Sequence, residues 1–177
     1  MLETDQFWLR EVVADDLEDV HLVFESNPGF LALRADIGAT PGGYDLASVK
    51  QYWDMAALDP QRHLLVVADK ETDMILGLVD FVDQSPADGM PWIGLVMIHR
   101  SHQRRRVGAA ALQAVAAYLA SQGHSAARMA VIEGNKAGLG FARSAGFEDY
   151  GSAAIPTPGA ARRIVLLELA LSIRTSG

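Results

Sequence analysis

Two periods run through the apolar positions of this chain, and the points where one gives way to the other mark its elements. "FWLREVV" alternates and reads as a short strand. In "DDLEDVHLVFES" the apolar residues Leu17, Val20, Val23 and Phe24 fall at helical spacing, with Asp15 or Asp16 placed to cap. "DLASVKQYWDMAAL" predicts a second helix with Leu46, Val49, Trp53 and Ala57 on one face. "HLLVVAD" and "MILGLVDFVD" flank the charged turn "KETD" and predict a hairpin. "PWIGLVMI" is apolar at consecutive positions, the mark of a central strand buried on both faces.

The clearest helix comes next. Val107, Ala110, Ala111, Ala114, Val115, Tyr118 and Leu119 share one helical face, and Gly123 stands where a helix end wants a left-handed residue. "ARMAVI" is another buried strand. Asn135 can cap a short helix that runs to about Ala145 and ends at Gly146. "IVLLELAL" is the last strand, with "YGSAA" as its partner across a Pro-Gly turn. The order is β, α, α, β, β, β, α, β, α, β, β. It predicts an α/β fold of mixed α+β type, a mixed sheet with helices on its faces. Three Pro- and Gly-bearing loops, Gly38 to Tyr44, Gln84 to Pro91 and Ile155 to Ala160, are too short to be linkers, so residues 1–177 are expected to form a single domain.

Composition narrows the function. The chain carries a formal net charge of -7, which disfavours nucleic acid and anionic membranes as partners. It has no cysteine, so it has no disulfide, thiolate metal site or thiol nucleophile, which fits a reducing cytoplasm. "MLETDQFWLR" carries acids where a signal peptide needs basic residues, and its most apolar stretches are too short to span a bilayer. A cytoplasmic location follows as the expectation.

Against that acidic background, "HQRRRVGAAALQ" sets three arginines at the start of the small-residue helix. The first amides of a helix lack partners and carry partial positive charge, which makes the site ready for an anion, above all a phosphate. Arg104, Arg105 and Arg106 surround it with guanidinium groups, and Gly108, Ala109 and Ala110 let a ligand approach the backbone. A pyrophosphate is the expected occupant. No Walker-type or dinucleotide glycine loop is present, and no aromatic residues stand beside the arginines to stack RNA bases.

"GLVMIHRSHQRRRVGAAALQAVAAYL" resembles the acyl-CoA-binding segment of the GNAT superfamily of N-acetyltransferases, a strand followed by [QR]-x-x-G-x-[GA] and a helix. Gln103, Arg106 and Gly108 occupy the three marked positions, with Arg106 in place of the first glycine. "VIEGNKAGLGFARSAGFEDYG" resembles the next family segment through Asn135, Gly146 and Phe147. The resemblance implies a single-domain GNAT fold around a mostly antiparallel twisted sheet. It also implies acetyl-CoA as acyl donor with no metal, and transfer to a primary amine of a small molecule or peptide. The pyrophosphate would sit on amides from Arg104 through Val107 and Gly108 to Ala109. Met97 and Ile98 would offer backbone groups to the pantetheine arm, with Asn135 and Phe141 along its other side. Gly138 and Gly140 fit that packing, since a helix-interior glycine costs about 1 kcal/mol against alanine.

Many family members place a tyrosine acid or a glutamate base at positions that here hold Ala142 and Trp92. Proton carriers must then come from elsewhere, or water must serve. Asp80 and Asp83, on opposite faces of their strand, and His99 are the candidate bases, with Glu133 behind them. Each also has an ordinary role open to it, as a solvated or loop-capping group. His99 and His102 lack a third ligand for a metal. The acceptor would lie against the first two helices and the last hairpin, with Phe30, Tyr44, Tyr52 and Trp53 as lining or core. A non-catalytic acyl-CoA sensor is the alternative, and a homodimer is a candidate assembly.

Overall fold

The computed structural model describes residues 1–35, 44–156 and 161–172. The strands are β1 (Leu2–Glu3), β2 (Phe7–Glu11), β3 (Arg62–Asp69), β4 (Ile75–Val82), β5 (Trp92–Ile98), β6 (Ala126–Ile132), β7 (Glu148–Ile155) and β8 (Arg162–Ala170). The helices are α1 (Leu17–Glu25), α2 (Pro28–Ala35), α3 (Leu46–Ala57), α4 (Val107–Ser121) and α5 (Lys136–Ser144). All eight strands join one sheet in the order β1-β2-β3-β4-β5-β6-β8-β7. Every neighbouring pair is antiparallel except β5 and β6, which α4 connects.

The sheet separates two apolar clusters. On one face α4 and α5 bury Val107, Ala111, Val115, Leu119, Leu139 and Ala142 against Val79, Phe81, Ile93, Met129 and Leu167. On the other, α1 and α3 bury Val20, Val23, Phe24 and Val49 against Leu64, Val66, Leu78, Leu95 and Met97. Strands β3, β4 and β5 contribute to both clusters, which is why they read as near-continuous apolar runs.

The predicted elements all form, and among the described residues the structure adds one strand and one α-helix. The first is the two-residue β1, too short to carry a period. The second is α2, whose first residue is Pro28; proline is preorganised for that position because its missing N–H would have no helical partner there. The buried face of α3 is rotated from the predicted one. Val49 and Ala56 are buried with Tyr52 and Trp53 packed beside them, while Leu46 is exposed. Asp16 does not cap α1 by its side chain. Its carboxylate accepts the Val13 amide at 2.8 Å and a two-pronged bond from Arg10 at 2.7 and 2.9 Å. Asn135 and Gly146 behave as predicted: Asn135 caps α5 by accepting from the Gly138 amide at 2.9 Å, and Gly146 has φ +95°. Most of the Gly38–Tyr44 and Ile155–Ala160 loops lies outside the described residues.

Candidate active site

The site begins with a defect in β5. Opposite β4, the register slips between Asp80 and Phe81, which pair with Leu95 and Ile93 and leave Gly94 as a bulged residue. Toward β6, the parallel pairing holds only at Trp92↔Arg128 and Ile93↔Met129, although both strands continue. From Gly94 onward β5 and β6 therefore part, and one backbone edge of β5 is left without a ladder. Bulges commonly mark such places beside functional sites. The break lies upstream of Met97 and Ile98, which pair with Leu78 and Gly77 of β4.

The far end of β5 is pinned. The Ile98 carbonyl accepts from Asn27 Nδ2 at 3.1 Å and from Gln103 Nε2 at 2.9 Å, and Gln103 also donates to Asn27 Oδ1 at 2.8 Å. Ser26 Oγ accepts the Arg100 amide at 3.1 Å. Gln103 thus clamps the loop to the residue that follows the α1 cap and to the end of β5. Gly77 lets β4 approach, since a Cβ there would stand 2.5 Å from the Met97 carbonyl oxygen.

Beyond Gln103 the backbone turns into a cradle. Arg104 and Arg106 both have φ 64°, in the left-handed region. Alternation of this kind turns successive amides inward as a nest for an anion. The nest runs into the α4 N-terminus at Val107, Gly108 and Ala109, where Arg106 supplies no side-chain cap. The nest and the helix start follow one another without a break, with the exposed Arg104, Arg105 and Arg106 beside them. Arg106 also occupies a conformation that glycine adopts without strain. Arg106→Gly should therefore gain about 1 kcal/mol of stability and lose no more than about tenfold in pyrophosphate affinity, because the backbone carries the site. Melting curves and titration with inorganic pyrophosphate check both halves.

Phe141 closes the other side. A Cβ on Gly108 would meet Ile98 Cγ1 at 3.3 Å and the Phe141 ring at 3.4 Å, so the end of β5, the start of α4 and the middle of α5 converge on this glycine. A Cβ on Gly138 would lie 2.5 Å from Asn135 Nδ2, so this glycine makes room for the cap, while nothing among the described residues stands within 4 Å of a Cβ on Gly140. Ala142 is fully buried in the core, so that position presents no group to the groove.

The candidate bases are spread over three places. Asp80, buried on the α1/α3 face, lies beside the bulge, with Oδ2 3.7 Å from a Cβ built on Gly94. Both its oxygens are engaged: Arg62 donates from Nε at 2.9 Å and Nη2 at 2.7 Å, and the Tyr52 hydroxyl donates as well. Burial, then the Asp80 charge, pushes the Tyr52 hydroxyl far above its ordinary pKa, so it stays protonated. The hydrogen bond to Asp80 likewise raises Arg62.

Asp83 faces the opposite side, as alternation predicts. It accepts from the Tyr118 hydroxyl at 3.0 Å and meets His63 Nε2 at 3.1 Å, while His63 Nδ1 meets Glu11 at 3.0 Å. His99 lies at the start of the turn that precedes the nest. Its ring caps the turn before Gln103 through Ser101. Glu133 is exposed at the end of β6. Trp92 donates its indole N–H to Asp88 at 3.0 Å. Phe30, Tyr44, Tyr52 and Trp53 all belong to the α1/α3 core, Tyr44 stacked on Phe24 at 4.4 Å. Among the described residues no group of three His, Asp or Glu side chains is disposed to hold a metal, and no helix is long and apolar enough to cross a membrane.

The His63 cluster gives a pH signature. Burial disfavours its charged form, but hydrogen bonds to Glu11 and Asp83 outweigh that and hold its pKa above the usual histidine value. A pKa raised by folding stabilises fully below the unfolded value of about 6.5, and the gain is lost as pH climbs through the folded pKa. Melting temperature should fall across that rise, and His63→Gln should flatten the fall; a parallel slope in the variant would refute the assignment.

The site thus joins a strand that breaks from its neighbour to an amide nest at a helix start. The chain matches the model of the acetyltransferase (GNAT) family over residues 30–147, two thirds of its length, and belongs to that family; by that membership it is an acyltransferase. Solved structures share the fold. An acetyltransferase from Thermus thermophilus is 22% identical, with a TM-score of 0.73, 93% of this chain and 97% of that chain covered. A spermidine N-acetyltransferase from Vibrio cholerae, in complex with CoA and spermine, is 14% identical, with a TM-score of 0.71 over 95% of this chain and 97% of that one. The microcin C7 self-immunity acetyltransferase MccE, in complex with acetyl-CoA and AMP, is 16% identical, with a TM-score of 0.75 over 94% and 93%. A comparison with curated protein sequences finds no match.

Proposed function

We propose that this chain transfers the acetyl group of acetyl-CoA to a primary amine of a small molecule or peptide by direct attack. The observation that carries the reading is the convergence of the Arg104–Ala109 amides with the unpaired edge of β5. The first suits a pyrophosphate and the second an extended amide-bearing arm. The CoA and acetyl-CoA complexes of two fold neighbours support the same cofactor. The arm lies along β5 from the nest toward Gly94, with Phe141 and the Asn135 cap on its other side. The amides at the Gly94 bulge point to the place where negative charge develops on the carbonyl oxygen.

Asp80, Asp83 and His99 are each held by other groups, so none of them serves as the base in this proposal. The amine attacks in its neutral form, the C–N bond forms, the C–S bond breaks, and water takes the proton. A thiol with a pKa near about 8.5 leaves without an acid. The test has two parts. Acetyl-CoA with a panel of amines must release thiol in an amine-dependent way; cofactor binding without such release would make the chain a sensor. The rise of kcat/KM with pH should then follow the ionisation of the acceptor, moving to lower pH for less basic amines. A profile that stays fixed across amines assigns a base to the enzyme.

A further inference from the structure

The parted ends of β5 and β6 are bridged on both faces of the sheet. On one face α4 and α5 meet there, with Ile98 and Phe141 both against Gly108. On the other face the bridge is α2. It starts directly after Asn27, whose Nδ2 reaches the Ile98 carbonyl at the end of β5. Phe30 and Leu31 seat it on the α1/α3 core, and Leu33 Cδ2 lies 3.7 Å from a Cβ built on Gly134, in the turn after β6. The helical rise from Asn27 to Leu33 is about 9 Å against roughly 4.8 Å between paired strands, so α2 suits a pair held apart. The tie at Asn27 does more than end α1. Its Nδ2 also donates to the Val23 carbonyl at 2.9 Å, and its Oδ1 accepts from Gln103 Nε2 at 2.8 Å. Gln103 directly precedes Arg104, the first left-handed residue of the nest. The Ile98 carbonyl that both amides share belongs to the free edge of β5: the His99 amide bonds Leu76 of β4 at 2.8 Å, so alternation turns Ile98 the other way. One group of hydrogen bonds thus joins the nest loop, the free strand edge and the start of α2.

We propose that Asn27 is a positioning residue for the acyl transfer, holding α2 in register with the loop that takes the cofactor's phosphates. The role rests on the acyl-transfer reading above: α4 and α5 close one face of the gap, so an amine comes to the acyl end from the face that α2 borders. Phosphate oxygens seated on the nest fix Arg104 and with it Gln103, whose amide holds Asn27 Oδ1 and through it the first turn of α2. Gln103 is exposed, so without that constraint water competes for its amide and the link weakens. Coupling of this kind is reciprocal: what steadies the nest loop steadies α2, and an acceptor that steadies α2 tightens the hold on the cofactor.

Hydrogen exchange read residue by residue tests the link on the whole chain, with coenzyme A as the probe. The Phe30 and Leu31 amides, which bond the Asn27 carbonyl at 3.1 and 3.2 Å, report on α2, and the Gly108 and Ala109 amides report on the nest. In the wild type, saturating coenzyme A should slow both pairs, the α2 pair by about tenfold or more. In Asn27→Ala the nest pair should still slow, while the α2 pair changes by less than about threefold. Gln103→Ala breaks the link from the other side at an exposed position, so it keeps the test readable if Asn27→Ala folds poorly, and the double variant should lose no more coupling than either single one. Turnover of the best amine of the panel gives a second readout: Asn27→Ala should raise the acceptor KM by about tenfold and leave the acetyl-CoA KM within about threefold. A tie that serves only the fold would loosen α2 equally with and without coenzyme A and keep its response, which overturns the proposal. So does a wild-type α2 that ignores coenzyme A while the nest slows, or an equal rise in both KM values. A nest that does not respond either removes the cofactor reading and this proposal with it.

Discussion

Gly108→Glu should abolish coenzyme A binding while leaving the chain folded. A Cβ at this position already meets Ile98 Cγ1 at 3.3 Å and Phe141 at 3.4 Å, closer than ordinary contact. The longer side chain has to leave through the mouth of the nest. Its carboxylate then sits in the first turn of α4, where the free amides and the helix dipole favour it. The same interaction that keeps the helix stable puts a built-in anion in the place of the pyrophosphate. A loss of at least about 100-fold, on the order of 3 kcal/mol, is expected. Gly108→Ala separates bulk from charge: it adds only the tight methyl and should cost about tenfold or less. Calorimetric titration with coenzyme A and melting in its presence read the two variants. Normal binding by Gly108→Glu would remove the anion site from this helix and take the cofactor assignment with it.

What made that site legible was local. Three arginines before "VGAAAL" describe a helix start, and the nest needs only the few residues around it. The Asn135 and Gly146 signals are likewise contained within one turn of chain. The unread parts join distant segments. Asn27 reaches the Ile98 carbonyl across 71 positions, and the only sequence trace of its region is the Asn-Pro pair that starts α2. Gly94 and Gly77 carried a usable signal, because an isolated glycine in a strand pattern marks a bulge or a close backbone approach. The structure uses both: Gly94 is the bulge at which β5 leaves β6, and Gly77 lets β4 approach the Met97 carbonyl. The rotation of α3 has a different cause. Its face is chosen by Asp80 and the Val12 carbonyl, which take the polar ends of Tyr52 and Trp53, and an apolar period does not register such partners.

That choice makes Asp80 a sensitive polar position in the fold. Asp80→Ala should destabilise by about 3–5 kcal/mol, since it strands a mostly covered guanidinium and removes the acceptor of a buried hydroxyl. At this chain length each kcal/mol lowers the melting temperature by roughly 2–4 °C, so a drop on the order of 10 °C is expected. Tyr52→Phe removes one hydrogen bond and should cost only about 1 kcal/mol. The buried pair itself is not a large net source of stability, because desolvation offsets most of its attraction. Arg62→Met combined with Asp80→Leu should therefore recover most of the loss. Urea unfolding of the single and double variants measures the coupling. Catalysis supplies the second readout. With Asp80 holding the wall beside Gly94 and not acting as a base, Asp80→Asn lowers the rate but leaves its pH dependence with the acceptor amine. Loss of that dependence in a well-folded Asp80→Asn would return the carboxylate to the chemistry. An Asp80→Ala protein as stable as wild type would show that Arg62 and Tyr52 find water as readily as they find Asp80.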